Sequence, residues 1–364
     1  MTDRFCILAR HVALAVLTAW LTSPALAESS SWSSQGAGKD APAKPAAPKT
    51  SPAGATQKTV PAKPGTTDQK KTVPSLAPVT GEDAAYLAFD QGQYLTALKL
   101  AQEAASRGEP SAHTLIGRIY QEGLGVPKDE KAAANWYTRA TELGDIPATF
   151  ELALMLAQGR GVEKNREAAA SLFEKAAMTG HALANYNLGL LFLKGDGKPE
   201  NPYRAAQHIR YAAEKGVAQA QYDLAAMYQK GAGVEPSAEE AARWMSRAAE
   251  QGLDAAQYDY AVLLLKGFGL KKDETKAIGY MKAAAEKGIA GAQNRLAYIH
   301  LEGVGVDKNP VEAAKWRLIA KRNGIEDKTL DDMVAKLSKA DRAAAEKAAS
   351  EWGDRIQVQA GEDH

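Results

Sequence analysis

Six Gly-x-Gly pairs stand on one ruler: Gly123, Gly159, Gly195, Gly231, Gly267 and Gly303 open them, each 36 residues after the last. A second ruler with the same interval carries Gly144, Gly180, Gly216, Gly252, Gly288 and Gly324. Overlaid without a gap, residues 109–324 are six copies of one 36-residue element. Self-similarity at this period builds a stack of supersecondary units, each touching only its neighbours, rather than a compact enzyme core. Binding is the function such a stack serves.

Each copy carries two apolar stripes at helical spacing. In the fourth, Ala220, Leu224 and Met227 precede Gly231, and Ala241, Trp244, Met245 and Ala248 precede Gly252. Both sets fall on one face of a 3.6-residue period, so each copy is predicted to be two short amphipathic helices. Neither helix would hold in water alone, so packing must stabilise both.

Three slots are alanine in every copy. They are Ala112, Ala148, Ala184, Ala220, Ala256 and Ala292; then Ala133, Ala169, Ala205, Ala241, Ala277 and Ala313; then Ala140, Ala176, Ala212, Ala248, Ala284 and Ala320. A methyl group lets helix backbones approach closely, and a larger side chain would overpack by about 1–3 kcal/mol. The closing glycines read as helix C-caps in the left-handed conformation. The Gly-x-Gly pair reads as the turn between the two helices.

The segments QYDLAAMYQKGAGV (221–234) and EEAARWMSRAAEQG (239–252) resemble the Sel-1-like repeat family, a relative of the tetratricopeptide repeats. The shared pattern is a Leu-small pair, an aromatic, Gly-x-Gly-Val, then Ala-x-x-Trp and Ala-Ala-x-x-Gly. The resemblance spans residues 82–324 and implies an all-α fold, an α/α solenoid of helix-turn-helix repeats. It further implies an adaptor or regulator that holds other proteins.

The repeat phase continues backwards through Gly108, Ala104 and Ala97, so residues 81–108 are expected to form a tetratricopeptide-like N-terminal cap with a tight turn at Gln91-Gly92-Gln93. Beyond Gly324, residues 325–352 are expected to form two capping helices, the second opening at Ser338 with Asp341 three residues on. Residues 353–364 read as a frayed tail.

The N-terminus carries an address. Arg4 and Arg10 lie near an apolar run, Val12 to Thr22, and Ala25-Leu26-Ala27 offers a small-residue cleavage site. Residues 1–27 therefore read as a secretory signal peptide cut after Ala27, placing the protein in the periplasm or outside the cell. An uncleaved anchor is the alternative; after cleavage no membrane span is expected. Cys6, the single cysteine, would leave with the leader. Residues 28–80 hold eight of the sixteen prolines and seven lysines against three acids, and read as a disordered Pro/Ala/Lys-rich linker.

Removing the leader takes two Arg and one Asp from 45 basic and 44 acidic residues, leaving 43 of each. No global basic field favours nucleic acid. The histidines show no metal-ligand spacing, the Gly-x-Gly turns lack the Gly-Lys-Ser/Thr ending of a phosphate loop, and no Gly-x-Ser-x-Gly elbow occurs. No catalytic residue, metal or cofactor is expected, and the chain is not read as an enzyme. His208 and His300 sit in slots where other copies carry aromatic residues and are expected to pack there.

A ladder is more informative. One first-helix slot reads Thr114, Phe150, Tyr186, Tyr222, Tyr258, Asn294; four residues on come Leu154 and Leu190; three further come Leu193 and Leu265. If first helices line the concave side, Phe150, Leu154, Tyr186, Leu190, Leu193, Tyr222, Tyr258 and Leu265 would form a trough for a peptide, with Lys194, Lys230 and Lys266 on its edge. Packing between repeats is the alternative for the tyrosines, and a solvated row the alternative for the lysines. The expected partner is another envelope or periplasmic protein; peptidoglycan or polysaccharide is the rival.

Overall fold

The computed structural model describes residues 81–362, with side chains from 83 to 355. The expected leader and Pro-rich linker lie outside the described residues. Sixteen α-helices and no strand occur among the described residues. They pair as α1 (Gly81–Asp90) with α2 (Tyr94–Ser106), then six repeats: α3 (Pro110–Glu122) with α4 (Glu130–Glu142), α5 (Ile146–Gln158) with α6 (Arg166–Met178), α7 (Ala182–Lys194) with α8 (Pro202–Glu214), α9 (Ala218–Lys230) with α10 (Ala238–Glu250), α11 (Asp254–Lys266) with α12 (Glu274–Glu286), and α13 (Ala290–Glu302) with α14 (Pro310–Arg322). α15 (Lys328–Ala335) and α16 (Lys339–Glu362) follow. The last helix continues past Trp352, so residues 353–362 are helical where a frayed tail was expected.

Local chemistry sets both ends of each second helix. Asp129, Asn165, Asn201, Ser237, Asp273 and Asn309 stand at the N-caps, each accepting a hydrogen bond from the amide three residues on, as Ala132 N donates to Asp129 at 2.9 Å. At the other end Gly144 N donates to Thr141 O at 3.1 Å and Asp145 N to Ala140 O at 2.9 Å. That pair of bonds is a Schellman cap, and it needs the left-handed residue that the closing glycines supply at φ between 82° and 90°.

In the second to fifth repeats the second glycine of the pair has a further task. A Cβ on Gly161 would overlap the Glu130 carbonyl, one on Gly233 the Pro202 carbonyl, and one on Gly269 the Ala238 carbonyl. In each case the obstruction is the start of the preceding repeat's second helix. The turn therefore docks backbone against backbone across the repeat boundary, beyond the intra-repeat turn read from the sequence.

All three alanine slots are fully buried in all six copies. Buried amides follow the same rhythm: Gln221 Nε2 donates to Ala213 O at 3.0 Å and Gln293 Nε2 to Ala285 O at 3.0 Å, serving carbonyls at the end of the preceding second helix. His208 packs as expected, its ring parallel to Phe192 at 5.8 Å and its Nδ1 2.9 Å from Asn185 Oδ1. His300 is buried, and burial lowers the pKa of both rings.

At the C-terminal end the slot held by Tyr137, Phe173, Ile209, Met245 and Met281 is occupied by Arg317. This guanidinium is fully buried and grips Asp331 of α15 with bonds of 2.8 and 3.0 Å, donating also to Ile325 O at 2.9 Å and Asn294 Oδ1 at 3.2 Å. The Ser338 signal is realised: Asp341 N donates to Ser338 Oγ at 3.1 Å, and Ser338 Oγ donates to Asp341 Oδ2 at 2.8 Å.

Candidate partner-binding face

First helices of neighbouring repeats meet one another. α1 approaches α3 and α3 approaches α5, whereas no two second helices come together to the same extent. The array is tighter along its first-helix side at the N-terminal end, and side-chain bonds join first helices farther along; this side is termed the inner face.

The tyrosine ladder crosses the repeat boundaries on this face. Tyr186 of α7 donates to Asp223 Oδ2 of α9 at 2.8 Å, and Tyr222 of α9 donates to Asp259 Oδ2 of α11 at 2.8 Å. At the array's ends the same slot does the same work with smaller groups. Thr114 Oγ1 donates to Asp145 at 2.9 Å and Asn294 Nδ2 to Asp327 at 2.9 Å. Phe150 has no polar tip and stacks on His181 at 4.6 Å instead. His181 in turn caps α7, its Nδ1 accepting from Ala184 N at 3.1 Å.

The expected trough divides accordingly. Phe150, Leu154 and Tyr186 are buried, at 6, 3 and 6 % exposure, and offer a partner almost no surface. Leu190, Leu193, Tyr222, Tyr258 and Leu265 remain half-exposed, so the accessible part lies in the third to fifth repeats. Tyr258 packs beside Gly291 of the following first helix and feels the charge of Arg295. Lys194, Lys230 and Lys266 are exposed in the last turns of α7, α9 and α11, where a cation also complements the helix dipole.

Sequence reasoning missed the aspartates. Their signal was available in the Tyr-Asp pairs 222–223 and 258–259, which place an acid one residue after the ladder slot. Burial pushes the Asp223 carboxyl up to about 6, with bonds from Tyr186 and Gln219 and the charge of Lys194 pulling it back. Asp259 is raised by burial as well, against the bond from Tyr222. The Tyr186 and Tyr222 hydroxyls are pushed up, by burial first and by the neighbouring carboxylate second.

A pH dependence follows. Unfolded, an aspartate titrates near 3.8, so between that value and about 6 the native chain holds a proton on Asp223 that the unfolded chain has released. This contribution is complete below the lower value and is lost as pH rises through the upper one. The urea midpoint is expected to decline across that window, and Asp223→Asn to remove its share of the decline. An unchanged profile in the variant would mean that the carboxyl ionises in the native fold as it does in water.

Stacked helix pairs with a continuous inner face define an α-solenoid scaffold. The Sel1 repeat pattern matches residues 110–145, 146–181, 182–217, 218–253, 254–289 and 290–324, and the chain belongs to the Sel1-repeat family. Proteins of this family are generally protein–protein interaction scaffolds, typically without enzymatic activity. The chain is similar to a Sel1 repeat protein from Oxalobacter formigenes, with 32% identity, a TM-score of 0.59, and coverage of 65% of this chain and 98% of the other. It is also similar to a protective antigen of uropathogenic Escherichia coli strains that displays the same repeat fold. There the identity is 26%, the TM-score 0.51, and the coverage 77% of this chain and 69% of that one. No curated protein matches the chain. No helix among the described residues is long and apolar enough to cross a membrane.

Proposed function

We propose that this chain is an adaptor of the bacterial cell envelope, exported by its N-terminal leader, that holds a partner protein on the inner face of its central repeats. The observation that carries the reading is the half-exposed band of Leu190, Leu193, Tyr222, Tyr258 and Leu265 along the first helices of the third to fifth repeats. Tyrosines are among the side chains that carry most of the energy in protein recognition, and the lysine row at the band's edge favours an acidic approach. The Tyr222–Asp259 bridge fixes one ring of the band, which limits the entropy lost on binding.

The sharpest test avoids the bridged tyrosines. Tyr258 makes no hydrogen bond among the described residues, so Tyr258→Ala together with Leu265→Ala removes surface without stranding a buried acid. Crosslinking from native envelopes, followed by titration of the purified partner, is expected to show affinity lowered by about tenfold or more with helical circular dichroism unchanged. Undiminished affinity in a folded double variant removes the inner face from the proposal.

A further inference from the structure

The outer face of the third repeat departs from the other five. Along α8, Tyr203, Gln207, Arg210, Tyr211 and Glu214 line a cleft of about 370 Å³, which Gly233 in the turn of the next repeat also borders. Tyr203 is 65% exposed, one of four large apolar side chains so placed among the described residues. At its position the other copies carry Lys131, Glu167, Glu239, Thr275 and Val311; at that of Tyr211 they carry Arg139, Lys175, Arg247, Ala283 and Ile319. Five repeats fold and stack without an aromatic ring at either place. The scaffold does not ask for these tyrosines.

The polar groups between the rings have capacity to spare. Gln207 and Glu214 have no hydrogen-bond partner among the described residues. Arg210 is oriented by Tyr228, with Nη2 donating to its hydroxyl at 2.9 Å and the guanidinium 5.7 Å from its ring centre. Tyr211 is anchored by its bond to Gly180 O at 3.3 Å. Tyr203 and Tyr211 lie about 12 Å apart along the helix axis.

This combination selects a ligand class. A pyranose ring offers an apolar C–H face to an aromatic side chain and a rim of hydroxyls that both donate and accept. Gln207 can do both, Arg210 only donates and Glu214 only accepts, so hydroxyls satisfy all three. A proline-rich peptide also suits tyrosine rings, but its backbone presents acceptors almost alone and leaves Glu214 with nothing to accept from. Glu214 likewise disfavours an anion. We propose that the outer cleft of the third repeat is a carbohydrate-binding subsite for a polymer of pyranose sugars. It lies on second helices, away from the inner face, and stands whether or not that face binds a protein.

The purified full chain titrated with chitohexaose and with cellohexaose, by calorimetry and ligand-observed NMR, decides the matter. Binding of at least one hexamer is expected, weakened about tenfold or more by Tyr203→Ala and by Glu214→Gln, retained by Tyr203→Phe, and unaffected by Tyr258→Ala. Preference for chitohexaose assigns the subsite to N-acetylated wall glycan, and preference for cellohexaose to unacetylated polysaccharide. No binding of either hexamer, equal binding by Tyr203→Ala, or tighter binding of poly-L-proline overturns the proposal.

Discussion

Gly269→Ala is expected to cost about 3 kcal/mol or more, whereas Gly252→Ala costs about 1–2 kcal/mol. Both glycines hold positive φ, at 71° and 82°, and both substitutions meet the same left-handed penalty. The difference lies in what the methyl group touches. At Gly252 the nearest atom is the movable Lys287 Nζ at 3.6 Å; at Gly269 the Cβ lands on the Ala238 carbonyl. Backbone cannot yield as a side-chain tip can, so relief requires the fourth and fifth repeats to separate. In an array stabilised by nearest-neighbour interfaces, a broken boundary uncouples the two sides. Urea unfolding of Gly269→Ala should therefore lose its single transition as well as its midpoint. Equal costs at the two positions would refute the boundary role.

The second large effect is expected at Asp331. Arg317 is fully buried, and Asp331→Ala strands its charge, which costs about 3–5 kcal/mol. Arg317→Met combined with Asp331→Asn should recover most of that loss, because Met245 and Met281 fill the equivalent slot elsewhere. Acid provides an independent check. The bond from Arg317 holds the Asp331 carboxyl below its usual range. Its folded value is depressed, so its contribution is present above the unfolded value and is lost as pH falls through the folded one, below about 4. Asp223 acts over a higher window and with the opposite sign. A stability optimum between the two, shifting when either residue is neutralised, is the outcome to seek by urea titration. If Asp331→Ala unfolds at the wild-type urea midpoint, the buried charge is not held by this carboxylate.

The repeat period made the helices legible. Alanine slots and closing glycines align at 36 residues because each copy solves the same packing problem. The bridges escaped that ruler. Tyr186 reaches Asp223 and Tyr222 reaches Asp259 over 37 residues, because a contact between copies joins different slots rather than equivalent ones. Aligning the copies hides such a pair. The dual role of the second glycine was hidden for a related reason, since its obstruction lies in the preceding copy. Arg317 was visible as one charge in an apolar column, but its meaning depended on α15, outside the repeat. Of the expected trough, Phe150 and Tyr186 show why a column of rings does not by itself make a groove: the same rings also seal the boundaries.

The step of one unit plus one residue carries an evolutionary corollary. Excising residues 218–253 would bring Asp259 to the place of Asp223, so Tyr186 would still meet an aspartate, and Gly269 would meet the Pro202 carbonyl that Gly233 meets now. Unequal crossing-over between copies would thus yield chains whose new junctions are already chemically matched. A lineage carrying this protein can lengthen or shorten its array by whole units without first evolving a new seam.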